Sequence, residues 1–423
     1  VFMLLTPNAQ GVFPIAPTAF HPDGRIDTAS MDRLTDFYVA CGATGVTVLG
    51  QMGEAPKLSH SESVAITTQM IRRAPSLPVI VGVSSPGFAS MHALTQEVMA
   101  AGANVVGLDL RAISQAEGLL VPGMAYTPWG NVAAARRVFG GIEMAMWDAR
   151  GKTEGVPVTL LLGGAVRDEV ALTEYFSYRL SGTDPGEATP LEIARYCAAM
   201  IDAHGSTVFE GKVATVSMAE EITMLREIRA AIDARELRID ANGGYTLPTA
   251  RLALRAFSSF EISWFEEPCE DYEDMAALRA HTDISFSSHR IDLRKAVALR
   301  CPDAIVTNLN ELGGIAATVA FIKAAEAFNV GFRFHSGETG IGSAAYLQVS
   351  AAVEAVRGAS QTLLRWYGDD VIEGGPLVPK GGKLGLPEGA GLGVTLDRKA
   401  LARCHQRYLD EGAFPSGVAG LGY

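Results

Sequence analysis

Five strand-like runs in the second half of the chain each end in a side chain able to do chemistry. They are Lys212 in TVFEGKVA, Asp240 in LRIDANGG, Glu266 in ISWFEEP, Asn308 in AIVTNLN and His335 in VGFRFHSGE. Lys212, Asp240 and Glu266 follow one another at intervals of 28 and 26 residues, and His335 follows Asn308 after 27. An ammonium, two carboxylates and an imidazole delivered at that interval suit a metal-assisted acid/base enzyme. Taking a proton from the carbon beside a carboxylate concentrates negative charge, which a divalent cation stabilises while a positioned base accepts the proton. Hard oxygens from Asp and Glu suit Mg²⁺, which keeps several waters and leaves room for a substrate.

The interval itself is that of one strand plus one helix. Ala- and Leu-rich stretches of helical period fill the gaps, and a polar run, ISFSSHR, lies between the third and fourth strands. This rhythm predicts an α/β fold, a parallel (β/α) barrel of the TIM type, in which residues from the carboxyl ends of several strands meet at one mouth.

Bulk properties narrow the class. A chain of 423 residues predicts two or three structural units. Its 48% hydrophobic against 19% charged residues describe a well-buried globular protein. The formal net charge of −12 argues against a nucleic-acid or anionic-membrane partner, so a site for an anionic substrate must be locally cationic. No run reaches the roughly 18 apolar residues of a membrane span. The opening VFMLLTPNAQ has no basic leader and is not expected to be a signal peptide. Five scattered cysteines without a C-x-x-C pair read as thiols in a reducing compartment, and a cytoplasmic protein is expected.

The first hundred residues read differently. GVFPIAPT, GVTVLG and PVIVGV alternate with the helical segments MDRLTDFYVACGA and SESVAITTQMIRRA, which indicates parallel βα units. The stretches GVFPIAPTAFHPDGRID, GATGVTVLGQMGEAPKLSHSE and PVIVGVSSPGF resemble the first third of the dihydrodipicolinate synthase / N-acetylneuraminate lyase family, barrels that form a Schiff base with pyruvate. The resemblance ends at AAGA, before the strands on which that family carries its lysine and tyrosine. Gln51 and Met52 stand where it usually has paired threonines. It therefore implies a fold segment without aldolase activity. An unfinished run of parallel strands has an open edge, so a homo-oligomer is expected.

From residue 104 the text changes. NVVGLDLRAI, then VFGGIEMAMWDARGKTEGVPVTLLLGG, then the tail GGKLGLPEGAGLGVTLD, resemble the enolase superfamily in its mandelate racemase and glucarate dehydratase branches. That resemblance implies a (β/α)7β barrel whose usual α+β cap is here largely replaced by the N-terminal partial βα segment. The implied division is 1–103 for that segment, 104–168 for a cap remnant and linking helices, 169–368 for the barrel, and 369–423 for a tail returning to the cap.

The same resemblance assigns roles. Asp240 and Glu266 match two Mg²⁺ ligands. Asn242 either orients Asp240 or a metal-bound water, or is plain turn chemistry in Asn-Gly-Gly. The third ligand should leave the following strand, where ungapped alignment gives Ser287 or Ser288, and His289 is the strong donor nearby. Lys212 matches the second lysine of a K-x-K pair whose first position is Glu210. A carboxylate there favours the ammonium form, which leaves Lys212 a base, an electrostatic partner of the substrate or the partner of Glu210 in an ion pair. His335 matches the histidine of the opposite face. Its usual aspartate partner is Asn308 here, with Glu338 and Glu311 as candidate substitutes. Arg333 shares the facing of His335, and Arg179 and Arg290 are further cations for an acid substrate. Glu210, Asn242, Arg333 and Glu338 complete the expected substrate-binding set.

The implied reaction is Mg²⁺-assisted removal of the α-proton of a small-molecule sugar acid with loss of the β-hydroxyl, giving a 2-keto-3-deoxy acid. Racemisation or epimerisation needs two competent bases, and the Glu210 and Asn308 departures weaken both. A Schiff-base lyase and a catalytically impaired fusion are the remaining alternatives.

Overall fold

The computed structural model describes residues 11–50, 52–83, 88–103, 132–179, 186–335 and 339–412. The chain divides into two compact units, Val1–Asp109 and Leu110–Tyr423.

In the first unit, strands β1 (Val46–Val48) and β2 (Val79–Val81) pair in parallel, and Ile15 bridges Thr47 in parallel on the other side of β1. The three strand-like runs thus lie side by side. The helix Thr28–Ala40 starts at Asp27, whose carboxylate accepts from the Ser30 N–H. The helix His60–Arg73 starts with a reciprocal capping box of Ser59 and Glu62. Met31, Val46, Val48, Ile66, Met70, Val79 and Val98 close a small core between these helices and the strands.

The second unit is built around seven strands hydrogen-bonded in chain order and all parallel. They are β4 (Glu174–Phe176), β5 (Val208–Lys212), β6 (Glu236–Asp240), β7 (Ile262–Glu266), β8 (Ser285–Ser288), β9 (Ala304–Thr307) and β10 (Gly331–Phe334). An eighth segment joins the two edges. Gln361 N–H donates to Phe334 O, Ser360 N–H to Ala171 O and Thr173 N–H to Ser360 O, each at 2.9 Å, and Ser360 bridges Leu172 in parallel. A TIM-barrel-type fold follows, as the spacing predicts. Short β3 (Glu169–Ala171) pairs antiparallel with β11 (Lys383–Gly385), so the GGKLG tail returns to the start of the barrel.

Alternation along each strand separates two kinds of residue. Phe209, Leu237, Ile239, Phe265, Phe286 and Ile305 join the apolar core against the surrounding helices. Glu210, Lys212, Arg238, Asp240, Trp264, Glu266 and Arg333 turn to the barrel interior, where they touch one another. Gly211 sits where an added Cβ would fall 2.1 Å from Phe176 O, which keeps β5 tight against β4.

Helix ends are tied down by buried carboxylates. Glu143, on the long helix Val132–Glu154, accepts from the N–H groups of Ile315 (2.7 Å) and Ala316 (2.9 Å), and from the Trp147 indole (2.7 Å). It thereby caps the helix Ile315–Ala327 and fixes the turn that follows β9. Replacing Glu143 with Ala leaves these donors without their acceptor, and we expect a loss of about 3 kcal/mol of unfolding free energy. Urea denaturation checks this, and an unchanged midpoint would remove the cap from the account.

Candidate functional site

Strand register builds the site. Lys212 pairs with Asp240, Asp240 with Glu266 and Glu266 with Ser287 across four neighbouring strands, so consecutive strand ends present their side chains at one level. His289 follows β8 by one residue and His335 follows β10 by one. Four of the five strand-end residues singled out by spacing therefore reach the same mouth.

The contacts are short. Lys212 Nζ lies 2.5 Å from Asp240 Oδ2 and also donates to Asn242 Oδ1. Asp240 Oδ1 accepts from the Asn242 N–H at 2.8 Å, with Asn242 held in a left-handed conformation at φ 45°. Glu266 Oε1 lies 2.7 Å from His289 Nε2. The His289 ring meets the His335 ring edge to face, with centroids 4.6 Å apart. Asp240 and Glu266 are each only 1% exposed.

Burial governs the protonation of this group. Burial raises the Glu266 carboxyl above its ordinary range, with Asp240 and Glu210 adding to the rise and the His289 ring opposing it. Burial also disfavours a charge on His289, but the Glu266 carboxylate outweighs it and raises the imidazole to about 10. His335 is driven the other way, to about 3, by burial first and then by His289 and Lys212. The two rings therefore differ in charge at neutral pH, with His335 neutral.

Among the described residues, Asp240, Glu266 and His289 form a group whose donor atoms all lie within 4.8 Å of one another. Three features of this chain fit a divalent cation there. Glu266 Oε1 is buried and faces His289 Nε2 at 2.7 Å without a bond to any other donor among the described residues. His289 Nδ1 lies 3.1 Å from the Val306 carbonyl, which can only accept, so Nδ1 carries the proton and Nε2 points its lone pair at Glu266 when the ring is neutral. Two carboxylates and one imidazole then face a common point, a donor set that Mg²⁺ and especially Mn²⁺ accept. Ser287 and Ser288 are not that donor. Ser287 Oγ is 3.4 Å from Glu266 Oε2, and Ser288 Oγ donates to Glu267 at 2.7 Å.

Several expected site residues lie elsewhere. Glu210 is not at the mouth. It is a layer deeper and 1% exposed, accepts from Gln361 at 2.9 Å and lies 3.8 Å from Arg238, so it cannot touch a substrate. Arg333 does share the facing of His335, but one layer down. Its guanidinium stacks 4.1 Å from the Trp264 ring centroid and donates to Ser287 Oγ at 3.1 Å. Asn308 is the N-cap of the short helix Leu309–Leu312, its Oδ1 accepting from the Glu311 N–H at 3.0 Å, and it lines one cavity with His335. Arg179 pairs with Glu187 at 2.6 Å, and Arg290 with Glu270 at 3.0 Å. Glu338 lies outside the described residues. Gln361 was not anticipated, although it follows His335 by 26 residues and so continues the same strand rhythm.

Breaking the Glu266–His289 pair by a His289→Leu substitution leaves a buried charge alone. In metal-free protein we expect a loss of about 3–5 kcal/mol of stability, read as a lowered thermal midpoint. A midpoint equal to that of the unaltered protein would show that the pair carries no weight.

Comparison with known proteins places this geometry. Residues 192–400 match the family model for the enolase C-terminal domain-like fold, and residues 79–163 match the mandelate racemase / muconate lactonizing enzyme N-terminal domain. Residues 8–108 match the dihydrodipicolinate synthetase family. The chain is 29% identical over 290 residues to a probable glucarate dehydratase of Streptomyces coelicolor, covering 65% of this chain and 67% of that protein. It is 29% identical over 283 residues to a D-galactonate dehydratase of Xanthomonas euvesicatoria, covering 63% and 73%. Among solved structures, an enolase from Thermobispora bispora complexed with magnesium and formate superposes with a TM-score of 0.68 at 27% identity, over 76% of this chain and 81% of that one. An isomerase from Streptomyces coelicolor superposes with a TM-score of 0.61 at 30% identity, over 70% and 82%.

Proposed function

The chain belongs, through residues 79–163 and 192–400, to the enolase superfamily, and from that premise we propose that it is a divalent-metal-dependent dehydratase of a sugar acid. Several relatives named as acid-sugar dehydratases support the class of reaction, and the magnesium in the Thermobispora bispora structure supports the metal. The observation that carries the reading is the unequal state of the two candidate bases. The His335 ring, which burial disfavours in its charged form, stands 4.6 Å from that of His289 at the cluster, whereas Lys212 is bound by Asp240 and Asn242.

Asp240, Glu266 and His289 would hold the cation, with Mg²⁺ as the family's expected ion. When bound, it stabilises the negative charge that develops on the substrate carboxylate. The chain's own groups do the rest. The Lys212 ammonium, whose charged form the Asp240 carboxylate favours, attracts the substrate carboxylate and holds it at the mouth. An imidazole nitrogen of His335 accepts the α-proton. The resulting imidazolium returns that proton to the β-hydroxyl, which departs as water. The enol product becomes a 2-keto-3-deoxy acid by tautomerisation. Asn242 keeps Lys212 and Asp240 in their mutual positions rather than touching the substrate.

Racemisation or epimerisation by the same proton removal is the second reading. Relatives named as cycloisomerases keep it in view. It needs a second base on the opposite face, and the ammonium of Lys212 is already engaged.

Incubating the protein with Mg²⁺ or Mn²⁺ and a panel of hexarates, hexonates and pentonates tests the proposal. We expect a 2-keto acid from at least one member, trapped as its semicarbazone. His335→Asn should lower that rate by about 10²–10⁴-fold. Solvent deuterium entering the α-position of recovered substrate, with no keto acid formed, would favour the second reading. Absence of both from every member, with metal bound, would overturn the enzyme assignment made here.

A further inference from the structure

We infer that Gln361 is a positioning residue for Glu266, the part of the barrel floor that turns one carboxylate oxygen toward the cation and pins the other beneath it. The inference rests on the reading of Glu266 as a ligand. The side chain of Gln361 leaves the segment that closes the barrel and is 3% exposed. Its Nε2 is 2.9 Å from Glu210 Oε1 and 2.9 Å from Glu266 Oε2. Ionised carboxylates only accept, so the amide must present its two N–H groups to them, one to each.

This arrangement is specific. A glutamate side chain has three rotatable bonds and reaches one geometry only when packed or bonded into it. For Glu266 the constraint comes from below, where Oε2 meets Gln361 and Ser287 Oγ, and Ser287 in turn accepts from Arg333. Oε1 is left to face His289 and Asp240. Glu210 has a matching task. It anchors the second N–H of Gln361 while Arg238, 3.8 Å away, offsets its charge. The carboxylate at position 210 is thus a support for a support, which accounts for a burial that no substrate contact explains.

Two readouts test the assignment without relying on turnover. The first is Mn²⁺ affinity by calorimetry for the intact chain, for Gln361→Met, which keeps the shape and removes the donors, and for Gln361→Lys, which keeps donors facing both carboxylates. We expect Gln361→Met to bind about 10–100-fold more weakly, the range for groups that orient a ligand, and Gln361→Lys to remain within severalfold of the unaltered chain. The second is the metal-free crystal structure of Gln361→Met, in which the Glu266 carboxylate should have turned, with Oε2 no longer over Ser287 Oγ. A Gln361→Met protein that binds as tightly, with Glu266 in place, overturns the inference. Should Gln361→Met fail to fold, a folded and metal-binding Gln361→Lys still supports it, and failure of both to fold overturns it in favour of a purely structural residue. If the unaltered chain binds no Mn²⁺, the metal reading under Proposed function fails by itself, and the position of Glu266 in the Gln361→Met crystal still decides the role of Gln361.

Discussion

Three carboxylates, Glu210, Asp240 and Glu266, lie inside the barrel with 1% of their surface exposed. Water cannot neutralise them there, and the cost of an unpaired buried charge exceeds what a barrel of this size can absorb elsewhere. Every other interior group answers that constraint. Lys212 attends Asp240, His289 attends Glu266, Arg238 attends Glu210, and Gln361 is shared between Glu210 and Glu266. Arg333, pushed down to about 10 by burial and by its neighbour Arg238, completes the floor against Trp264. The interior charges therefore lie in two layers, Lys212, Asp240, Glu266 and His289 at the mouth and Glu210, Arg238 and Arg333 below. The group that could hold a cation, Asp240, Glu266 and His289, lies in the upper layer.

That division explains how much of the site could be read from the sequence. Lys212, Asp240, Glu266 and His335 were legible because a repeated strand-helix unit has a fixed length, and a residue at each strand end must arrive at the same rim. Alternation gave the facing of Glu210 and Arg333 correctly. It is silent about depth, and a residue two positions earlier on a strand sits about 6–7 Å lower, which moves it from substrate to foundation. Asn308 was ambiguous for another reason. Asparagine is among the best helix N-caps, and the helix Leu309–Leu312 begins directly after it, so local backbone demand took its carbonyl oxygen. Gln361 escaped notice because its strand forms only bridging hydrogen bonds, and ASQT has neither the apolar run nor the charged terminus that marked the other strands.

His289 shows how one position can be read only jointly. Alignment without gaps points to Ser287 or Ser288, and both serines do occupy the strand end. Their hydroxyls are consumed by Glu266 and Glu267. The chain instead turns one residue further, where the Val306 carbonyl fixes the ring and leaves Nε2 toward the cluster. On the proposed reading of His289 as a ligand, a donor one residue past the strand stands in for a carboxylate at its end, because an imidazole is longer than a hydroxymethyl group. The exchange also alters charge. Two carboxylates with a neutral ring attract a dication less strongly than three carboxylates would, and imidazole tilts preference toward ions softer than Mg²⁺.

The change of family along the chain follows from the same modular physics. Residues 79–108 fall within both the dihydrodipicolinate synthetase match and the mandelate racemase / muconate lactonizing enzyme match. What a βα unit requires is a short β-branched strand buried on both faces and an amphipathic helix to cover it. VIV at β2 supplies the β-branched strand, and the helix Phe88–Ala100 follows it. The two matches thus overlap across β2 and the helix Phe88–Ala100. Catalytic residues sit at strand ends whose register must be kept across the whole barrel, as it is from Lys212 through Ser287. A junction before the first barrel strand keeps that register, whereas one between β6 and β7 would separate Asp240 from Glu266.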